Sequence, residues 1–93
     1  RSEDVAARWG GEEFLLILMG ADAAAAGEIA ERLRNAVERF GWEALDPSLA
    51  VTLSIGLASS GEAAARGAGP LLALADARVY AAKAGGRNRV VAA

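Results

Sequence analysis

The dipeptide Gly10-Gly11, set between two apolar segments, constrains this chain more than any other feature. Glycine takes positive φ at no steric cost, and the inner positions of a two-residue hairpin turn require that freedom. Before it stand Val5-Ala6-Ala7-Arg8-Trp9, short enough for one strand; after it, Glu12 to Met19 include Phe14, Leu15, Leu16, Ile17 and Leu18. Two such runs flanking Gly-Gly predict a β-hairpin. The return strand is so nearly continuous in apolar residues that a central place in a sheet is expected for it. Glu12 and Glu13 fall just beyond the tip. Taken by themselves, two acids after a turn are equally well a solvated tip that aids solubility.

A helix is expected from about residue 22 to residue 40. Asp22 supplies an N-cap carboxylate, and Ala26, Ile29, Ala30, Leu33, Val37 and Phe40 recur at helical spacing. Glu28 and Arg32 on the opposite face are spaced for an i,i+4 ion pair, and Gly41 is expected to stop the helix. Val51-Thr52-Leu53-Ser54-Ile55-Gly56-Leu57 alternates as a strand does, and the small Ser54 and Gly56 leave room for a helix or a ligand to approach closely. Pro70 fits the first turn of a second helix ending near Ala84, before Gly85-Gly86, and Val90-Val91 forms a short last strand. The order β-β-α-β-α-β indicates an α/β chain, an α+β sandwich with a largely antiparallel sheet.

Composition removes several classes of function. Ninety-three residues make one domain, and much of the 54% apolar share is alanine, so the core rests on Leu15-Leu16-Ile17-Leu18 and Val51-Leu53-Ile55-Leu57. With no cysteine and no histidine, disulfides, thiol chemistry and the usual zinc sites are excluded. A net charge of -2 argues against a nucleic-acid partner, which needs a basic face. No apolar run approaches the ~20 residues that span a bilayer, so no membrane contact is expected of this segment. A cytoplasmic setting fits, any tether lying in an upstream sensor. Lys83 is the one lysine among ten basic residues, the others being arginine.

The heptad Arg8-Trp9-Gly10-Gly11-Glu12-Glu13-Phe14 resembles the signature of GGDEF domains. Glutamate replaces the central aspartate, a variant the family uses, and tryptophan stands where tyrosine is commoner. Ser54-Ile55-Gly56 resembles the family's central strand. Ala75-Asp76, Tyr80 and Ala82-Lys83-Ala84-Gly85-Gly86-Arg87-Asn88 resemble its closing segment. These matches fall in family order and cover essentially the whole chain.

The resemblance implies a nucleotidyl-cyclase, palm-like fold of which residues 1–93 are the C-terminal part. A complete GGDEF domain begins with a strand and two helices that precede these elements, and without that strand a sheet edge is left uncovered. The implied activity is condensation of two GTP into cyclic di-GMP by a homodimer, each domain presenting one GTP, with Mg²⁺ or Mn²⁺. Attack of a ribose 3'-hydroxyl on an α-phosphate needs a divalent metal to neutralise charge and acidify the hydroxyl. Glu12 would be the metal-binding and catalytic carboxylate, Glu13 its support, and Gly10 and Gly11 would lie against the guanine nucleotide. Lys83 and Arg87 would meet the phosphates, a role compatible with Lys83 also stabilising a helix end. Further metal and guanine ligands belong to the upstream half, so the 93 residues alone are expected to be inactive. Arg1-x-x-Asp4, separated from Gly10 by a five-residue spacer, resembles the family's product-inhibition site, with Arg32 its secondary arginine; as bare residues, Arg1 to Asp4 are equally an exposed polar lead-in. The alternative function is a degenerate GGDEF domain, a cyclic di-GMP receptor or regulatory module.

Overall fold

The computed structural model describes residues 4–62 and 66–93. Strand β1, Val5–Gly10, pairs antiparallel with β2, Glu13–Ile17, placing Val5 opposite Ile17 and Arg8 opposite Phe14. The register shifts between Arg8 and Gly10, leaving Trp9 as an extra residue, and Gly10 pairs with Glu13. The two loop residues are therefore Gly11 and Glu12 rather than Gly10 and Gly11. Sequence spacing does not reveal a bulge, and this one advances the turn by one residue. Gly11 provides the left-handed φ, +50°, and Glu12 moves onto the tip itself.

Among the described residues β2 pairs with β1 alone, so the central position expected for it is not observed. Phe14 is 75% exposed, and Leu16 and Ile17 are open on the hairpin as well. An apolar run states what a strand can bury, not what covers it.

Helix α1, Ala23–Glu38, is capped as its sequence requires: Asp22 Oδ1 accepts from the Ala25 N–H at 2.8 Å. Its buried stripe is made of Ala26 and Ala30. The helix closes at Arg39, and Gly41, at φ +86°, opens a 3-10 turn over Trp42–Ala44. There the Trp42 ring packs against Phe40 with centroids 4.5 Å apart.

Strand β3, Ser54–Gly56, is shorter than the alternating run predicts because its partner β4, Arg89–Val91, offers only three residues. Between them runs helix α2, Ala68–Ala84, and the β3–β4 pairing is parallel. A crossover helix returns the chain in the same direction, which requires this orientation. The α+β class with two helices is as the sequence predicts. Among the described residues its strands pair as one antiparallel and one shorter parallel two-stranded sheet.

Both helices pack on β3 and β4. The closeness that the small residues of β3 invite is taken up by α2. A Cβ built on Gly56 would lie 2.1 Å from the Ala75 carbonyl oxygen and 2.4 Å from the Val79 nitrogen. Ala82 is fully buried in the same helix. Arg78 latches Leu57 and Glu62 to α2, its guanidinium donating to Glu62 at 2.6 and 2.9 Å and to the Leu57 carbonyl at 2.7 Å.

Candidate nucleotide site

Side chains of the hairpin tip and of the last turns of α2 approach one another. Lys83 Nζ lies 3.8 Å from Oε1 of Glu12, and Glu12 is 85% exposed. Glu13, the first residue of β2, joins Asp76, Val79, Tyr80 and Lys83 around an open depression of about 140 Å³. Two segments separated by some seventy positions, the acidic tip and the helix end bearing the sole lysine, thus meet at one place. Asp76 and Tyr80 belong to the closing segment, but their place beside Glu13 is not legible from spacing.

The tip is held by a contact the sequence does not announce. Arg8 donates through Nε and Nη2 to the Gly11 carbonyl oxygen at 3.0 and 2.7 Å, bracing the turn from its own strand. A Cβ built on Gly10 or Gly11 would meet nothing within 4 Å. The turn backbone is therefore open on that side, as close approach of a bulky ligand requires.

Beyond α2 the chain turns sharply. Gly86, Arg87 and Asn88 take φ of +120°, +64° and +47°, and the Arg87 N–H reaches back to the Ala82 carbonyl at 2.9 Å. Arg87 is exposed, and among the described residues its guanidinium has no hydrogen-bond or ion-pair partner. One exposed cation therefore stands a turn beyond Lys83.

The remaining expected residues lie elsewhere. Asp4 Oδ1 accepts from the Met19 N–H at 2.9 Å, tying the two ends of the hairpin together. Arg32 lines a broad groove of about 600 Å³ on α1 with Glu28, Glu31, Arg34 and Asn35. Arg1 lies outside the described residues. The ion pairs of α1 are built on Arg34 rather than between Glu28 and Arg32: Arg34 engages Glu31 and, at 3.2 Å, Glu38. The Arg34 guanidinium holds the Glu31 carboxyl below its usual range, and Arg34 is raised in turn. A stronger effect acts on Glu62, where Arg78 and the Ser59 N–H bring the carboxyl down to about 2.

For a metal, the donor set is spare. No group of three or more carboxylate, histidine or cysteine ligands converges among the described residues. Mg²⁺ commonly takes one or two protein carboxylates and completes its shell with substrate phosphate and water. An exposed Glu12 with Glu13 next to it fits that pattern, and the Lys83 ammonium lies 3.8 Å from Glu12.

No helix among the described residues is long and apolar enough to cross a membrane. Residues 1–89 match the family described as "Diguanylate cyclase, GGDEF domain". The chain is 41% identical over 90 residues to Diguanylate cyclase A of Treponema denticola, covering 97% of this chain and 24% of that protein. It is 44% identical over 98 residues to the response regulator PleD of Caulobacter vibrioides, covering 98% of this chain and 20% of that protein. The chain thus spans a quarter or less of the length of these relatives.

Proposed function

The chain belongs to the GGDEF domain family of diguanylate cyclases, and from that premise we propose that its complete domain condenses two GTP into cyclic di-GMP as a homodimer. The observation that carries this is the 3.8 Å approach of Lys83 to Glu12, which sets a carboxylate for metal beside a cation for phosphate. Glu12 and Glu13 hold Mg²⁺ or Mn²⁺, which supplies charge neutralisation at the phosphates and acidifies the attacking hydroxyl. Gly10 and Gly11 lie under the nucleotide, where their missing side chains leave the backbone open. Lys83 reaches a phosphate as a compact ammonium and Arg87 as a planar fork. Arg8 keeps the Gly11 carbonyl turned to itself, so the tip does not have to be ordered when the nucleotide arrives.

Product control belongs to the same proposal. Asp4, fixed at the base of the hairpin, and Arg32, in the groove on α1, together with Arg1 read cyclic di-GMP away from the reacting centre. Arginine offers paired donors to the edge of guanine, and a carboxylate accepts from its N–H groups. Incubation of the complete protein with GTP and Mg²⁺, followed by chromatography, tests the reading. Cyclic di-GMP should accumulate only with the metal present. Tight binding of cyclic di-GMP with no synthesis would instead favour a receptor.

A further inference from the structure

The turn that presents Arg87 is held locally by α2 and also from a distance, by side chains of α1. Positive φ is uncommon for a residue with a side chain, and two such residues in succession persist only where the surroundings over-determine them. Arg87 and Asn88 are the two non-glycine residues in this state among those described. Local bonds fix part of the turn, the Arg87 N–H reaching the Ala82 carbonyl at 2.9 Å and Arg89 Nε donating to the Arg87 carbonyl at 3.0 Å; the longer-range contacts come through Asn88. Its backbone N–H donates to Ser54 Oγ at 3.2 Å, its amide N–H donates to Glu38 Oε2 at 2.6 Å, and its amide oxygen accepts from Arg34 Nη1 at 2.8 Å.

Donor and acceptor functions of one amide are thus matched by a carboxylate and a guanidinium four residues apart on α1. Arg34 and Glu38 are themselves joined at 3.2 Å, and the Arg34 side chain is only 16% exposed. The contacts join residues 50 and 54 positions apart, so they are not a by-product of local turn geometry. They anchor the residue next to Arg87 while leaving the Arg87 guanidinium uncommitted.

We propose that Arg34, Glu38 and Asn88 are positioning residues that hold Arg87 at the phosphate end of the nucleotide site. The inference rests on the assignment of Arg87 to the phosphates made above. It makes α1, which carries none of the residues assigned to the reacting centre, a determinant of nucleotide affinity. Without the clamp the turn relaxes toward ordinary φ, and the guanidinium swings away from where the phosphate arrives.

The test uses the complete protein and separates KM for GTP from kcat, alongside calorimetry with a non-reacting GTP analogue. Glu38→Ala and Asn88→Ala should each raise KM and the analogue's Kd roughly ten- to a hundred-fold, the scale expected when a binding group is misplaced by about an ångström. The melting temperature should stay well above that of the assay. Glu38→Gln keeps an oxygen to accept from the Asn88 amide and should bind nearly as the unaltered protein does. Arg87→Ala is the reference: if it leaves affinity unchanged, the phosphate assignment itself is wrong. If Arg87→Ala weakens binding while Glu38→Ala and Asn88→Ala do not, or if Glu38→Gln is as damaging as Glu38→Ala, the clamp is overturned. The phosphate assignment then survives.

Discussion

Nζ of Lys83 stands 3.8 Å from Oε1 of Glu12, so the charge of the hairpin tip is met by the last turn of α2. An exposed pair at that distance adds little to stability, because solvent screens it and two long side chains must be ordered. Its worth lies in what replaces it. In the proposed function, a metal at the carboxylate and a phosphate at the ammonium would each replace that partner with one of the same sign.

Lys83→Met should therefore leave the melting temperature almost unchanged and lower kcat/KM for GTP roughly ten- to a hundred-fold, the size of one charge-assisted hydrogen bond. Steady-state kinetics at fixed Mg²⁺ check this. A variant as active as the parent would leave Lys83 a helix-end cation only.

Gly56 is placed where no side chain fits. A Cβ there would lie 2.1 Å from the Ala75 carbonyl oxygen, and that atom is backbone that cannot swing aside. Gly56→Ala should separate α2 from β3 at a cost of ~1–3 kcal/mol or more, the usual scale for overpacking. Urea denaturation reads the loss, and an unaltered midpoint would contradict the close packing of α2 on β3.

Much of this layout was legible in the sequence, for reasons particular residues show. Asp22 as N-cap, the helix boundaries and the hairpin all follow from local chemistry acting within a few residues. The one-residue displacement of the turn was not legible, because the bulge at Trp9 is a choice of pairing, and the pairing is long-range. The parallel β3–β4 pair is hidden for the same reason. Glu12, Lys83 and Arg87 stand out as motif residues, whereas the convergence of Asp76 and Tyr80 with Glu13 has no local signal. Asn88 sat in a recognised segment, yet its partners Arg34 and Glu38 lie 54 and 50 residues away, where no periodicity reaches.

Acid should weaken the latch between Glu62 and Arg78. The Glu62 carboxyl falls from an ordinary 4.5 to about 2 because Arg78 and the Ser59 N–H bind its charged form. In that interval the unfolded chain binds the proton first, so stability rises with pH. The contribution is complete above about 4.5 and is lost as pH falls towards 2. Glu62→Gln should flatten the melting temperature over that range and lower it at neutral pH. Parallel pH curves for parent and variant would show that the pair carries no such linkage.

Arg32 lies in the groove on α1, apart from the hairpin tip. Arg32→Ala in the complete protein should weaken cyclic di-GMP binding roughly ten- to a hundred-fold, a guanine edge read by paired donors being worth ~1–3 kcal/mol. Initial rates without product should hardly change. Calorimetry with an unaltered affinity would return Arg32 to the role of a solvated helix residue.

Glu12 occupies the tip of the turn, exposed, with one cation beside it. Glu12→Gln keeps its shape and hydrogen-bonding length while removing the charge that a divalent metal requires. The decisive measurement is the Mg²⁺-dependent rate of cyclic di-GMP formation by the complete protein with and without this single change, at matched melting temperature. The rate should fall by several orders of magnitude. Turnover equal to that of the parent would contradict the assignment of the hairpin tip as the metal-binding centre.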